Sequence, residues 1–272
     1  MFHQFRNRIV LKAVLTAETA LYIGSGQDSF EPLAVQGCLM KNQAGFPYIP
    51  GSSLKGVLRS FLESVIGGSC ERGDCGKSLK GKKERQDKIE ELLKLSGNAG
   101  KDKNYLLAEH INKISCMACR LFGSNLMAGK LKIADATLLS QESWLGTDLR
   151  TGNAIDRDTH TVASYALFDT ETIPAGTEFR LHVIAENLTM QEAECFGQLM
   201  SYFAKGGITV GGRSRAGLGE VTADNFQVTV SHLKSGSFIP VAEELADITI
   251  GTLAQKLVGS LIPDKKEAAA DV

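Results

Sequence analysis

The chain has 272 residues, 43% hydrophobic and 22% charged, which is enough for one large domain or two small ones with a sizeable core. A net charge of -1 excludes a protein that clamps nucleic acid over its whole surface, so any contact with phosphate must be local, in a groove or loop. Arg6, Arg8 and Lys12 interrupt the N-terminus, and no apolar run approaches the ~20 residues that cross a bilayer, so a cytoplasmic protein without membrane contact is expected.

Ile9 to Ala17, rich in β-branched residues with partial alternation, predicts a first strand, followed through Tyr22 and Ile23 by the glycine turn Gly24 to Gly26. Periodicity is lost from Gln27 to Gly45, which reads as a long loop or an irregular hairpin holding Asp28, Glu31, Pro32, Gln36 and Cys38. YIPGSSLKGVLRSFLE, from Tyr48 to Glu63, is the stretch the chain is organised around. Pro50 and Gly51 break the preceding strand, and Ser52 or Ser53 is expected to cap a helix with Leu54, Val57, Leu58, Phe61, Leu62 and Val65 on its core face. Lys55 and Arg59, four apart, share another face near the helix start, where unpaired N–H groups and the positive end of the dipole favour an anion. A solvated basic face is the plain alternative.

Residues 67–124 form a polar stretch with a cysteine pair at each end, Cys70 and Cys75 in CERGDC and Cys116 and Cys119 in CMAC. Four thiolates on one tetrahedral centre suit zinc, which would clip together a segment too polar to make its own core. A structural zinc on Cys70, Cys75, Cys116 and Cys119 is therefore expected in preference to unrelated free thiols; His110 is a candidate substitute for one cysteine but reads rather as an ordinary surface histidine. Between the pairs, Ile89 to Leu95 predicts a short helix, and Lys77 to Lys88 a solvated charge run.

Leu131 to Leu139 predicts a strand, and the stretch beginning at Gly152 a long polar loop that feeds a hairpin turning at Pro174 to Gly176. Phe179, Leu181, Val183 and Ile184 mark the next strand. Thr189 and Glu192 form a capping box for a helix with Ala193, Phe196, Leu199, Met200 and Phe203 inward and Lys205 to Gly207 at its end. Ile208 to Val221 reads as a short strand, a glycine loop with Arg213 and Arg215, and another strand. The glycines either supply positive φ angles or keep side chains away from an approaching nucleic-acid backbone, and guanidinium forks match phosphate oxygens. After Phe226 to Val230, Val241 to Ile262 is expected to be helical at least in part, with a charged disordered end from Lys265. The fold class is α+β, a ferredoxin-like βαββαβ core with long insertions, one of them bound to zinc. Its domains would be a core of residues 1–66 and 125–240, an insertion of 67–124, and a C-terminal helix and tail of 241–272.

Three stretches together resemble one family: YIPGSSLKGVLRSFLE, AIDRDTHTVASYALFDTETIPAGTEF and GGITVGGRSRAGLGEV. The chain resembles the RAMP superfamily of CRISPR-associated proteins, more narrowly the backbone subunits of type III interference complexes, from about Ile9 to Val230. CMACRLFGS is similar to the family's zinc-knuckle stretch. The resemblance implies a modified RNA-recognition-motif-type fold that polymerises along a crRNA guide, beside other RAMP subunits, and pairs it with target RNA. Ser52, Ser53, Lys55 and Arg59 would hold the guide backbone, with Arg213, Ser214 and Arg215 in the glycine-rich loop. Ile155, Asp156 and Arg157 would lie in a thumb-like hairpin.

Some members of the family cut RNA with an aspartate in the loop after the first strand. Gln36 stands where that acid is expected, and glutamine is neither a good ligand for a divalent cation nor a base. The resemblance therefore leads to a non-catalytic guide-binding subunit. A metal-dependent endoribonuclease using Asp28 is the alternative, and in that case a divalent cation is implied. A processing endonuclease would need His3, His110, His160, His182 or His232 beside the glycine loop, and a zinc-stabilised interaction module would need no RNA.

Overall fold

In the computed structural model, the described residues are 5–25, 37–66, 82–95, 108, 111–142, 144–155, 158, 160–233 and 239–261. The first strand, β1 (Asn7–Ala17), sends Ile9, Leu11, Ala13, Leu15 and Ala17 into the core and leaves the intervening residues outward. It is flanked by β7 (Glu178–Glu186) and β8 (Val221–His232), both antiparallel to it. Beyond β7 lie β3 (Leu131–Ile133) and β4 (Ala136–Leu138), then β2 (Tyr48–Ile49); beyond β8 lies β9 (Val241–Leu245). Among the described residues these seven strands make one sheet in the order β2-β4-β7-β1-β8-β9, with β3 also on β7.

Among the described residues, helices cover one face of the sheet and leave the other uncovered. Helices α1 (Gly51–Val65), α3 (Met117–Phe122), α4 (Met190–Ala204) and α5 (Leu253–Ser260) share a core with the inward side chains of the sheet. Leu54, Leu58 and Leu62 of α1 are buried as their spacing predicts, but Val65 is 64% exposed because the helix ends there, past the edge of the core. Gly197 lets α4 approach α5 closely, since a Cβ would stand 2.5 Å from the Ala254 Cα. Between α1 and α3 lies α2 (Lys82–Leu95), longer than the helix predicted from Ile89.

Five local expectations are corrected, in whole or in part. The helix α1 begins at Gly51 with Pro50 as N-cap and no side-chain cap from Ser52 or Ser53; the Gly51 N–H donates instead to Asp135 Oδ1 at 2.8 Å. The predicted strand from Leu131 is broken into β3 and β4 at Ala134 and Asp135, where the first turn of α1 presses on it. The polar segment after Trp144 is no loop but a two-stranded ribbon, β5 (Asp148–Ile155) with β6 (Val162–Thr172), which stands off the main sheet and turns into β7 at Pro174 to Gly176. Of the stretch from Val241 to Ile262, Leu253 to Ser260 is helical as expected (α5), whereas Val241 to Leu245 is strand, because the edge of β8 offers it a hydrogen-bonding partner. No strand forms at Ile208 to Val210; the Val210 N–H only reaches the Gly219 carbonyl, 2.8 Å away.

Thr189 and Glu192 form both halves of the capping box at α4. Glu192 also receives Lys130 Nζ at 2.6 Å, and the two side chains are 0% and 3% exposed. This buried ion pair ties the approach to β3 to the start of α4. Removing one partner of such a pair strands the other charge, so Lys130→Met is expected to cost ~3–5 kcal/mol of stability in urea denaturation. A loss within ~1 kcal/mol would show that another group compensates Glu192.

Candidate nucleic-acid interface

The glycine-rich loop is built on the segment that follows β1. The Gly212 N–H donates to the Tyr22 carbonyl at 2.8 Å, and the Gly219 N–H to the Ala20 carbonyl at 3.0 Å. Gly211, Gly217 and Gly219 have φ of 88°, 80° and 97°, and a Cβ on Gly211 would lie 2.4 Å from the Tyr22 oxygen. Gly211 and Gly219 therefore serve both positive φ and close packing, Gly217 positive φ alone, and the backbone approached is the chain's own. Between them, Arg213, Ser214 and Arg215 are all exposed, and Ser214 to Ala216 make one 3-10 turn. Arg213 is itself left-handed at φ 59°, and its guanidinium lies 5.4 Å from the centre of the Tyr22 ring.

Tyr22 carries the loop to the base of the ribbon. Its hydroxyl stands so close to Gly24 and Gly37 that a Cβ on either would fall within 3.1 Å of it, and Gly37 bridges to Thr170 of β6. Glu171, the next residue, accepts from Lys41 Nζ at 2.5 Å, from Thr147 Oγ1 at 2.7 Å and from the Leu39 N–H at 3.2 Å. Burial pushes the Glu171 carboxyl up, and those hydrogen bonds together with the Lys41 charge outweigh it and hold the group below its ordinary value. The loop, the segments 20–25 and 37–41, and the foot of the ribbon thus form one continuous region.

Lys55 and Arg59 make their contacts elsewhere. Lys55 Nζ donates to the Leu131 carbonyl at 3.3 Å, and burial, followed by the charge of Arg59, lowers its pKa. Arg59 donates to Glu63 at 2.8 Å, to the Gly123 carbonyl at 2.7 Å and towards Cys119 Sγ at 3.6 Å. Its guanidinium braces α1 against the CMACRLFGS segment. Ser52 is exposed and Ser53 half-buried in the first turn of α1. Cys116 caps α3, its sulfur accepting from the Cys119 N–H at 3.5 Å. Cys70, Cys75, Asp28, Glu31, Gln36, Asp156, Arg157, His3 and His110 lie outside the described residues, and among the described residues no three His, Cys, Asp or Glu side chains group as metal ligands. Of the histidines, His182 stands on the uncovered side of the sheet in β7, away from the glycine loop.

Sequence reasoning missed Tyr22 as the loop's platform and Asp135 as the cap of α1. Neither has a local signal, since each acts on a residue far along the chain.

A family model described as the RAMP superfamily matches residues 14–222. A protein of Methanothermobacter thermautotrophicus named CRISPR system Cms endoribonuclease Csm3 is 33% identical over 78 residues, 26% of this chain and 32% of that protein. One of the same name from Methanocaldococcus jannaschii is 22% identical over 194 residues, 66% of this chain and 63% of that protein. The chain thus spans about a third and somewhat under two thirds of these relatives. No helix among the described residues is long and apolar enough to cross a membrane.

Because the Glu171 pKa is lowered from 4.5, its contacts contribute stability above that value, and the contribution is lost as pH falls through the lower folded value. From about pH 5 to about pH 3 the protein should lose more stability than its Glu171→Gln variant does. Equal acid slopes in thermal melts would remove Glu171 from this role.

Proposed function

The chain belongs to the RAMP superfamily, and from that premise we propose that it is the guide-RNA (crRNA) backbone-binding subunit of a type III CRISPR RNA-targeting effector complex. It positions guide and target RNA in the cytoplasm beside other RAMP-family subunits. The observation that carries this reading is the exposed Arg213-Ser214-Arg215 turn, held rigid through backbone contacts to Tyr22 and Ala20 at the foot of a projecting ribbon. Two guanidinium groups on a fixed turn suit a sugar–phosphate backbone and ignore base identity, as a guide-holding subunit requires. The order strand, helix, paired strands, helix, strand, laid out as β4-β7-β1-β8 with α1 and α4 on one face, supports a ferredoxin-like core.

Lys55 adds to the reading. It is half-buried beside Arg59, with a backbone carbonyl as its partner, and the negative charge of a phosphate at the first turn of α1 with Ser52 and Ser53 would offset the burial and the Arg59 charge that lower its pKa. The ribbon serves as the thumb: Leu149 and Ile155 are 58% and 62% exposed, apolar groups suited to lie against bases, and Asp156 and Arg157 follow Ile155 in the sequence. Structural zinc on Cys70, Cys75, Cys116 and Cys119 fits the second pair, whose sulfurs sit at the start of α3 with an N–H and a guanidinium directed at them. Such a zinc would supply folding energy and no chemistry.

The names of these relatives favour a second reading, a metal-dependent endoribonuclease with Asp28 as the acid; Gln36 at the expected position weighs against it. In the assembled complex, Asp28→Ala abolishes target cleavage under that reading and leaves it unchanged under ours.

Purified from cells that express its neighbouring genes, the protein should carry short RNAs of uniform length with a shared repeat-derived end. Arg213→Ala with Arg215→Ala should lower the retained RNA and flatten the salt dependence of binding by about 1.4 in log–log slope, at ~0.7 per phosphate contact on a single strand. An intact complex without RNA would overturn the proposal. Metal analysis should return about one zinc per chain, lost in Cys116→Ser with Cys119→Ser; a fully folded chain with four free thiols would refute the site.

A further inference from the structure

The face of the sheet opposite the helices holds a concavity of about 490 Å³ that neither the glycine loop nor α1's basic pair uses. Strand alternation turns Lys12 of β1, Arg180 and His182 of β7 and Gln227 of β8 towards it. The register sets Lys12 opposite both His182 and Gln227, and Arg180 one step along, opposite Val14.

Two irregularities of the sheet form its walls. On one side Val14 pairs with Asp224 and Lys12 with Gln227, so Asn225 and Phe226 share the single place opposite Ala13. Asn225 takes φ 52° to make this bulge. On the other side the strand breaks at Ala134 and Asp135. A flat sheet would present no such hollow, and bulges of this kind commonly re-aim side chains beside functional sites.

The charges of this face are not treated alike. Arg8 and Lys132 are both satisfied by Glu186, at 2.8 and 2.6 Å. Lys12 and His182 have no side-chain partner among the described residues, and Arg180 donates only to the Leu139 carbonyl at 2.8 Å. Asp135, the acid in the concavity, is turned to the Gly51 N–H at the positive end of α1, which offsets its charge. Asp224 lies beyond, opposite Val14.

We propose that this concavity binds a nucleotide through its phosphate, with Lys12 and Arg180 on the phosphate and His182, Asn225 and Gln227 offering donors and acceptors to the sugar and base. Its size lies within the ~300–1,000 Å³ of small-ligand sites. The nucleotide is either a free mononucleotide or one residue of an RNA strand crossing the sheet, since both present the same phosphate.

Isothermal titration calorimetry of the full chain with 5′-AMP, adenosine and octa-adenylate RNA separates these. For a mononucleotide site, 5′-AMP binds, adenosine binds about tenfold more weakly or worse, and Lys12→Ala weakens 5′-AMP about tenfold. Arg180→Ala does the same, and Arg180→Lys, which keeps the charge, restores part of the affinity. For a strand site, the octamer binds without 5′-AMP doing so, and the same variants weaken the octamer. Circular dichroism checks that each variant is folded, as expected for exposed positions. The proposal is overturned when folded Lys12→Ala and Arg180→Ala bind 5′-AMP and the octamer as the unchanged chain does. That result would leave the guide-binding reading intact, because a strand held by Arg213 and Arg215 alone gives it. Absence of guide RNA in the cellular complex would in turn leave 5′-AMP binding to the isolated chain unaffected.

Discussion

A Cβ at residue 51 would stand 2.1 Å from the Ile133 carbonyl oxygen, so the start of α1 reaches the sheet only because that residue is glycine. Much of the molecule follows from this contact. With Pro50 as N-cap, the helix has no side chain of its own to receive its first N–H, and the Asp135 carboxylate takes it at 2.8 Å. For Asp135 to do so the strand must leave its ladder after Ala134, whose N–H still reaches the His182 carbonyl in the register of β3, and pairing resumes one residue out of step at Thr137 opposite Arg180, which is why β3 and β4 are separate. The same break hollows the uncovered face of the sheet. One close approach thus sets the position of α1 on the core side and the shape of the concavity on the other.

The glycine loop depends on an analogous device. Its backbone is fixed to Ala20 and Tyr22, and Tyr22 is in turn fixed against Gly24 and Gly37 and, through Gly37, against the ribbon. A loop that hung only from its own two ends would lose its arginines to conformational entropy before any ligand arrived. Anchored at Tyr22, it presents them from a turn whose geometry is already set. Glu171 extends the anchorage into the foot of the ribbon, drawing Lys41, Thr147 and Leu39 onto one carboxylate.

What the sequence makes legible is what local physics decides. The capping box at Thr189 and Glu192, the buried face of α4, the strand from Ile9 and the turn at Pro174 to Gly176 each rest on residues within a few positions of one another. The misreadings share the opposite property. Val241 to Leu245 has charges and alanine that suit a helix, and the free edge of β8 overrides them. The ribbon looks like a polar loop because the described side chains of β5 are nearly all exposed, so the alternation that betrays a half-buried strand is missing there. Ser52 and Ser53 look like caps because the real one lies 84 residues away, at Asp135. The candidate site divides likewise: the arginines of the glycine loop were visible as residues, whereas their platform at Tyr22 was not.

A net charge of -1 conceals how differently the cations are employed. Lys130 is sealed in the core on Glu192, where its charge fixes the approach to β3 and is unavailable to any ligand. Arg59 is spent on Glu63, Gly123 and Cys119, and Arg8 and Lys132 share Glu186. Exposed Arg215 and Lys12 have no carboxylate on them among the described residues, and they stand on separate surfaces, the glycine loop and the uncovered face of the sheet. In a chain with no overall surplus of positive charge, attraction of an anion falls to such unneutralised positions, because beyond about 10 Å salt screens the rest. Specificity of place therefore comes from which cations the fold leaves unpaired, and their number in the sequence does not reveal it.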